Sequence, residues 1–117
     1  VSITQFKFIV LGKNWTLRLM KRKKYAKKNG SDSLAMTYIH KRRIDLSPKG
    51  VDLETLIHEL VHAFITECCT RSTDMSVDDM EEVFCDLMAK HGSVILLTAD
   101  SLMEQISKAN QEPACSS

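Results

Sequence analysis

The hydrophobic period changes once along this chain, and that change limits the folds open to it. Up to Leu46 apolar residues recur at every second position in short runs: Phe6, Phe8 and Val10; Trp15, Leu17 and Leu19; Leu34, Met36 and Tyr38; Ile44 and Leu46. Alternation of this kind marks strands that bury one face. Gly12-Lys13-Asn14 is a short hairpin-type turn, and Asn29 to Ser33 and Ser47 to Gly50 are further breaks. The spacing predicts a small antiparallel sheet of hairpins over residues 1–46. The basic run Lys21 to Lys28 fits either a short helix or an exposed loop.

From about Asp52 the period becomes helical. Asp52 can cap the helix start, and Glu54 suits the positive end of the helix dipole. Leu53, Leu56, Ile57, Leu60 and Phe64 form one apolar stripe, so a helix is expected over about 52–68. Ser76-Val77-Asp78-Asp79 resembles a capping box and opens a second helix over about 77–97, with Met80, Phe84, Leu87, Met88 and His91 on one face. Gly92 either ends that helix or sits within it, and Val94 to Leu97 is buried in both cases. Ser101-Leu102-Met103-Glu104, another capping-box pattern, starts a last helix over about 100–109, and 110–117 is a polar tail. The expected fold is α+β: one domain over 1–117, an N-terminal sheet followed by three helices.

The active chemistry is expected on the first of these helices. His58 and His62 stand four apart, so both imidazoles lie one turn apart on one face, nearly opposite the apolar stripe. Two neutral imidazoles so placed can share one zinc ion, and Glu59 lies beside it, able to take a proton from bound water. A hydrolytic zinc site needs one more protein ligand and an open position. Glu82, 20 residues after His62, leads the candidates, with Glu81, Asp86 and His91 as rivals. Asp86, one turn beyond Glu82, could instead accept a hydrogen bond from a ligating histidine and fix its tautomer. Tyr38 and His40 end a strand region before the helix, where an oxyanion donor would be useful, but core packing and a solvated strand end account for them more simply.

His58-Glu59-x-x-His62 followed by Glu82-x-x-x-Asp86 resembles the gluzincin metallopeptidases, of which thermolysin is the familiar example. The resemblance covers residues 58–86. The overall plan is more similar to the minimal HExxH domains of phage and prophage proteins and of SprT-like or ImmA-like peptidases. The resemblance implies a zincin-like domain in which His58, His62 and Glu82 hold zinc, Glu59 is the general base and Asp86 orients a ligand histidine. It implies a peptide or protein substrate and, for a phage-encoded chain, the host cytoplasm. The metzincin pattern is absent, since no glycine and third histidine follow His62.

Charge is unevenly spread. Residues 1–43 carry 12 Lys and Arg against one acidic residue, while residues 44–117 carry 4 against 14. The basic half is a candidate surface for an anionic partner, and a non-catalytic zinc-binding module contacting nucleic acid or an acidic protein is the rival to a peptidase. Tyr25 among the lysines adds weak support for stacking on bases. The cysteines, Cys68, Cys69, Cys85 and Cys115, make no C-x-x-C pair and suit reduced thiols in the cytoplasm. No apolar run approaches the roughly 20 residues of a membrane span, and no signal-peptide pattern opens the chain.

Overall fold

A computed structural model of the chain describes residues 3–30, 33–68 and 76–111. Four strands form one sheet: β1 (Ile3–Val10), β2 (Lys13–Met20), β3 (Ala35–Tyr38) and β4 (Arg43–Leu46). Helix α1 (Arg22–Asn29) follows β2, and α2 (Leu53–Cys68) and α3 (Val77–Gln111) follow the sheet. The α+β plan is as expected, with the sheet first. The tail beyond residue 111 lies outside the described residues.

The sheet is mixed rather than antiparallel throughout. Its order is β1-β2-β4-β3; β1–β2 and β3–β4 pair antiparallel, whereas β2 and β4 pair parallel. The reason is the intervening α1, which carries the chain across one face of the sheet before β3 and β4 add on the far side of β2. A parallel pair needs such a crossover, where a hairpin does not. The β1–β2 turn is tighter than Gly12-Lys13-Asn14. Leu11 and Gly12 both take positive φ, 48° and 81°, and pairing resumes at once between Val10 and Lys13. Two positive φ values in a two-residue loop match the right-handed strand twist.

One sheet face is apolar. Phe6 opposes Leu17 and Phe8 opposes Trp15, and Leu17 and Leu19 register with Ile44 and Leu46. Onto this face pack Leu56, Leu60 and Phe64 of α2 and Ile95, Ala99, Leu102 and Ile106 of α3, all at most 1 % exposed. The other face carries Thr16, Arg18, Arg43, Asp45 and Tyr38, and α1 lies over it through the buried Tyr25. Tyr25 is spent on packing and on a 2.8 Å hydrogen bond with Ser33, so it is not presented to bases.

Helix α2 is fixed at both ends. Asp52 accepts hydrogen bonds from the Thr55 backbone N–H (2.8 Å) and hydroxyl (3.0 Å), the expected cap. At the far end Glu67 Oε2 accepts from Trp15 Nε1 and from Arg42 Nε, each at 2.7 Å. That pairing satisfies the indole N–H of a fully buried tryptophan. Helix α3 begins as expected, with Ser76 Oγ accepting from the Asp79 N–H at 3.1 Å. It does not divide at 97–100: one helix runs through Gly92 and Ser101 for 35 residues. The buried positions Leu87, Gly92, Ile95, Ala99, Leu102 and Ile106 keep helical spacing across the expected break. Continuous packing on α2 and the sheet outweighs the local stop signals, and Ser101 Oγ is occupied by Gln105 instead of a backbone N–H. Among the described residues no helix is long and apolar enough to cross a membrane.

Two predictions test this packing. If α3 is continuous, Gly92→Ala raises the thermal midpoint, by up to about 1 kcal/mol of helix propensity, because a Cβ there meets only the flexible Met88 terminus. A lowered midpoint would mean a break at Gly92. The second concerns acid. Burial pushes the Asp45 carboxyl up, but the Arg18 hydrogen bond and the charges of Arg18, Arg43 and Lys28 outweigh it and hold it below the carboxylate range. Glu67 is held low chiefly by the Arg42 hydrogen bond. Both groups bind protons less tightly folded than unfolded. Their stabilisation is present above about pH 4 and is lost as pH falls through the lower folded values. Asp45→Ala should cost about 3 kcal/mol at neutral pH and flatten the acid limb of a urea-midpoint series; an unchanged limb would contradict it.

Candidate metal centre

The two faces of α2 part as its sequence demands. Leu56, Leu60 and Phe64 are buried against the sheet, while His58 and His62 are exposed on the opposite side. Their rings stand 5.0 Å apart, centroid to centroid, in an edge-to-face arrangement. Together with Glu59 they form one wall of a cleft of about 420 Å³. The other wall is β3 and the residue after it: Ala35, Met36, Thr37 and Ile39. β3 is an edge of the sheet, so the cleft runs beside a strand that pairs on one side only. A larger cavity of about 500 Å³ lies between β1 and α3, lined by residues such as Ile9, Val94 and Leu97, but it holds no histidine or carboxylate.

Glu59 is nearly buried, at 7 % exposure, between the core and the histidines. Thr37 on β3 donates its hydroxyl to Glu59 Oε1 at 2.6 Å. The other oxygen, Oε2, lies 3.8 Å from His58 Nε2. A carboxylate this withdrawn needs such a donor, because a buried charge without one is costly. Thr37 is the residue that sequence reasoning missed. The strand alternation already separated Thr37 from Met36 and Tyr38, but only the register Thr37↔Ile44 shows that its face is the one turned to α2.

The remaining candidates lie elsewhere. Tyr38 is on the other sheet face, its hydroxyl donating to Asn29 Oδ1. His40 is exposed in the turn after β3, and neither residue lines the cleft. Asp86 and His91 line a separate cavity with Cys68, Val83, Leu87 and Lys90, and the His91 ring lies 6.0 Å from that of Phe64, tilted by 40°. Cys68 ends α2, so α3 passes that end at about Val83 to Leu87. Glu81 and Glu82 are exposed on the turn of α3 just before this level. His62 is six residues back along α2, about 9 Å at the helical rise.

The histidine pair suits two of a zinc ion's ligand positions, in residue type and spacing. Among the described residues, no group of three His, Cys, Asp or Glu side chains stands ready to hold a metal. The chain matches no family model, no curated protein and no solved structure.

The Thr37–Glu59 contact gives a direct test. Thr37→Val keeps the side-chain shape and removes the donor. It should cost about 2 kcal/mol in urea unfolding, as expected for a hydrogen bond to a charged group. A cost that Glu59→Met, which has no oxygen acceptor, abolishes in a double-mutant cycle would confirm the pairing, and additive effects would refute it.

Proposed function

We propose that this chain is a zinc-dependent metallopeptidase of the cytoplasm, with His58 and His62 as metal ligands, Glu59 as general base and Glu82 as the third ligand. The observation that carries this is the gathering of His58, Glu59 and His62 on one wall of the cleft beside β3. Zinc bound there would supply Lewis acidity and lower the pKa of water toward about 7.

The protein's own groups account for the rest. Glu59 stands one side chain away from His58 Nε2, with Oε1 engaged by Thr37. It is placed to accept a proton from attacking water and to pass it to a leaving amine. Thr37 orients that carboxylate, so proton transfer starts from a fixed position. The edge strand β3 offers backbone groups to an extended peptide, which would lie in the cleft as one more strand. Thr37 and Ile39 line that path.

Glu82 joins the histidines only when the first turns of α3 move relative to α2. Those turns carry exposed Val77, Met80 and Phe84. Asp86, beyond them, would orient a ligand histidine after the same movement. The rival, a non-catalytic zinc-binding module whose basic N-terminal half binds nucleic acid or an acidic protein, has no use for Glu59.

Metal content and turnover separate these ideas. The purified chain should bind about one zinc, His58→Ala should abolish binding, and Glu82→Gln should weaken it at least tenfold. Unchanged affinity in Glu82→Gln would remove Glu82 from the site while leaving the histidine pair. Glu59→Gln should keep zinc and lose hydrolysis of an unstructured protein substrate by about a hundredfold or more. No zinc uptake by the wild-type chain would overturn the proposal.

A further inference from the structure

The sheet face turned away from α2 holds a second concentration of charge that the cleft does not use. Asp45, fully buried, accepts two hydrogen bonds from Arg18, at 2.8 and 3.0 Å. Arg43 Nε is 3.1 Å from the same carboxylate and Lys28 Nζ is 3.8 Å away. The Tyr38 ring then gathers cations: Arg43 Cζ at 4.8 Å from its centroid, Lys28 Nζ at 5.6 Å and Lys41 Nζ at 5.8 Å. Three cationic side chains thus share one carboxylate, and a fourth, Lys41, joins them at the Tyr38 ring. Burial first, and then the neighbouring Arg18 and Arg43, depress the Lys28 pKa, as an excess of positive charge requires.

Hydrogen-bond donors are in excess as well. Arg43 Nε and Nη2 and Asn29 Nδ2 are buried and make no hydrogen bond. The Arg43 Nε contact with Asp45 is close enough for an ion pair but not aligned as a hydrogen bond. Asn29 belongs to the same cluster, because its Oδ1 accepts the Tyr38 hydroxyl. Buried donors without acceptors are rare in proteins, and here they coincide with surplus positive charge. A group rich in acceptor oxygens and negatively charged answers both.

We propose that Lys28, Lys41 and Arg43, arranged around Tyr38, bind a single phosphate group. Arg43 is the floor, with 16 % of its side chain exposed, and Lys28 and Lys41 are the rim. Arginine and lysine are the usual phosphate partners, the first through its fork of N–H groups and the second as a mobile charge. The cations converge on one ring instead of lining a track, so the ligand is one compact oxyanion. It is either a free phosphate or small phosphate ester, or one phosphodiester of a nucleic acid strand. The site is independent of any metal in the cleft, from which it is separated by the thickness of the sheet.

The test follows the Arg43 Nε–H and Tyr38 ring signals by NMR at constant ionic strength. Inorganic phosphate is the first probe and a short single-stranded oligonucleotide the second. At least one should shift both signals saturably. The Lys28→Gln/Lys41→Gln double variant should bind at least tenfold more weakly. Both lysines are partly exposed, so its spectrum should otherwise stay folded; Arg43, against the buried Asp45, is left intact. Saturation by phosphate alone identifies a small ligand. An oligonucleotide that also saturates, and competes with phosphate, identifies a phosphodiester. No saturable shift with either probe, or equal binding in the double variant, would overturn the proposal and leave water as the acceptor for these donors.

Discussion

Everything in the candidate centre depends on the clamping of α2 to the sheet. Leu56, Leu60 and Phe64 bury its inner stripe, Asp52 caps one end, and Glu67 ties the other to Trp15 and Arg42. The helix is therefore held in rotation as well as position. A rotation large enough to hide His58 and His62 would pull Leu60 out of a fully buried site and break the Glu67 contacts. Burying or exposing a leucine is worth roughly 1.5–3 kcal/mol, more than an exposed histidine can repay. Apolar packing on one side of α2 thus presents the histidines on the other.

Glu59 is where the two faces meet. It is a carboxylate at the margin of the core, and Thr37 makes that position tenable. The hydrogen bond spans from helix to edge strand, so the same contact that satisfies a buried charge also sets the width of the cleft. Under the proposed function, stability and chemistry would be coupled at this one residue. On the reverse of the sheet Asp45 is likewise buried, but it is surrounded by cations to excess. One layer of strands separates a carboxylate kept beside histidines from a carboxylate outnumbered by cations.

Much of this was legible in local sequence, and the misses have a common cause. The strands, α2, the Asp52 cap, the start of α3 at Ser76 and the outward histidines all follow from short-range periodicity and capping chemistry. The parallel pairing of β2 with β4 did not, because it depends on where α1 carries the chain, and Tyr25 reveals its role only once it is seen to be buried. The expected stop in α3 failed because Ser101-x-x-Glu104 looks the same whether a helix begins there or passes through. Contacts with the sheet decide between them. Glu82 has suitable spacing, but spacing from His62 does not specify how far α3 slides along α2. Thr37 was invisible for a similar reason: its alternation was clear, and which face met α2 was not.

In the proposed metal centre the His58 and His62 imidazoles bind one metal ion beside Glu59. Anomalous diffraction at the zinc edge, from crystals grown with zinc, tests it most directly. One strong peak is expected within bonding distance, about 2.1 Å, of a nitrogen of each histidine and next to the Glu59 carboxylate. A peak at surface carboxylates or at Cys85 alone, with the two imidazoles uncoordinated, would contradict it.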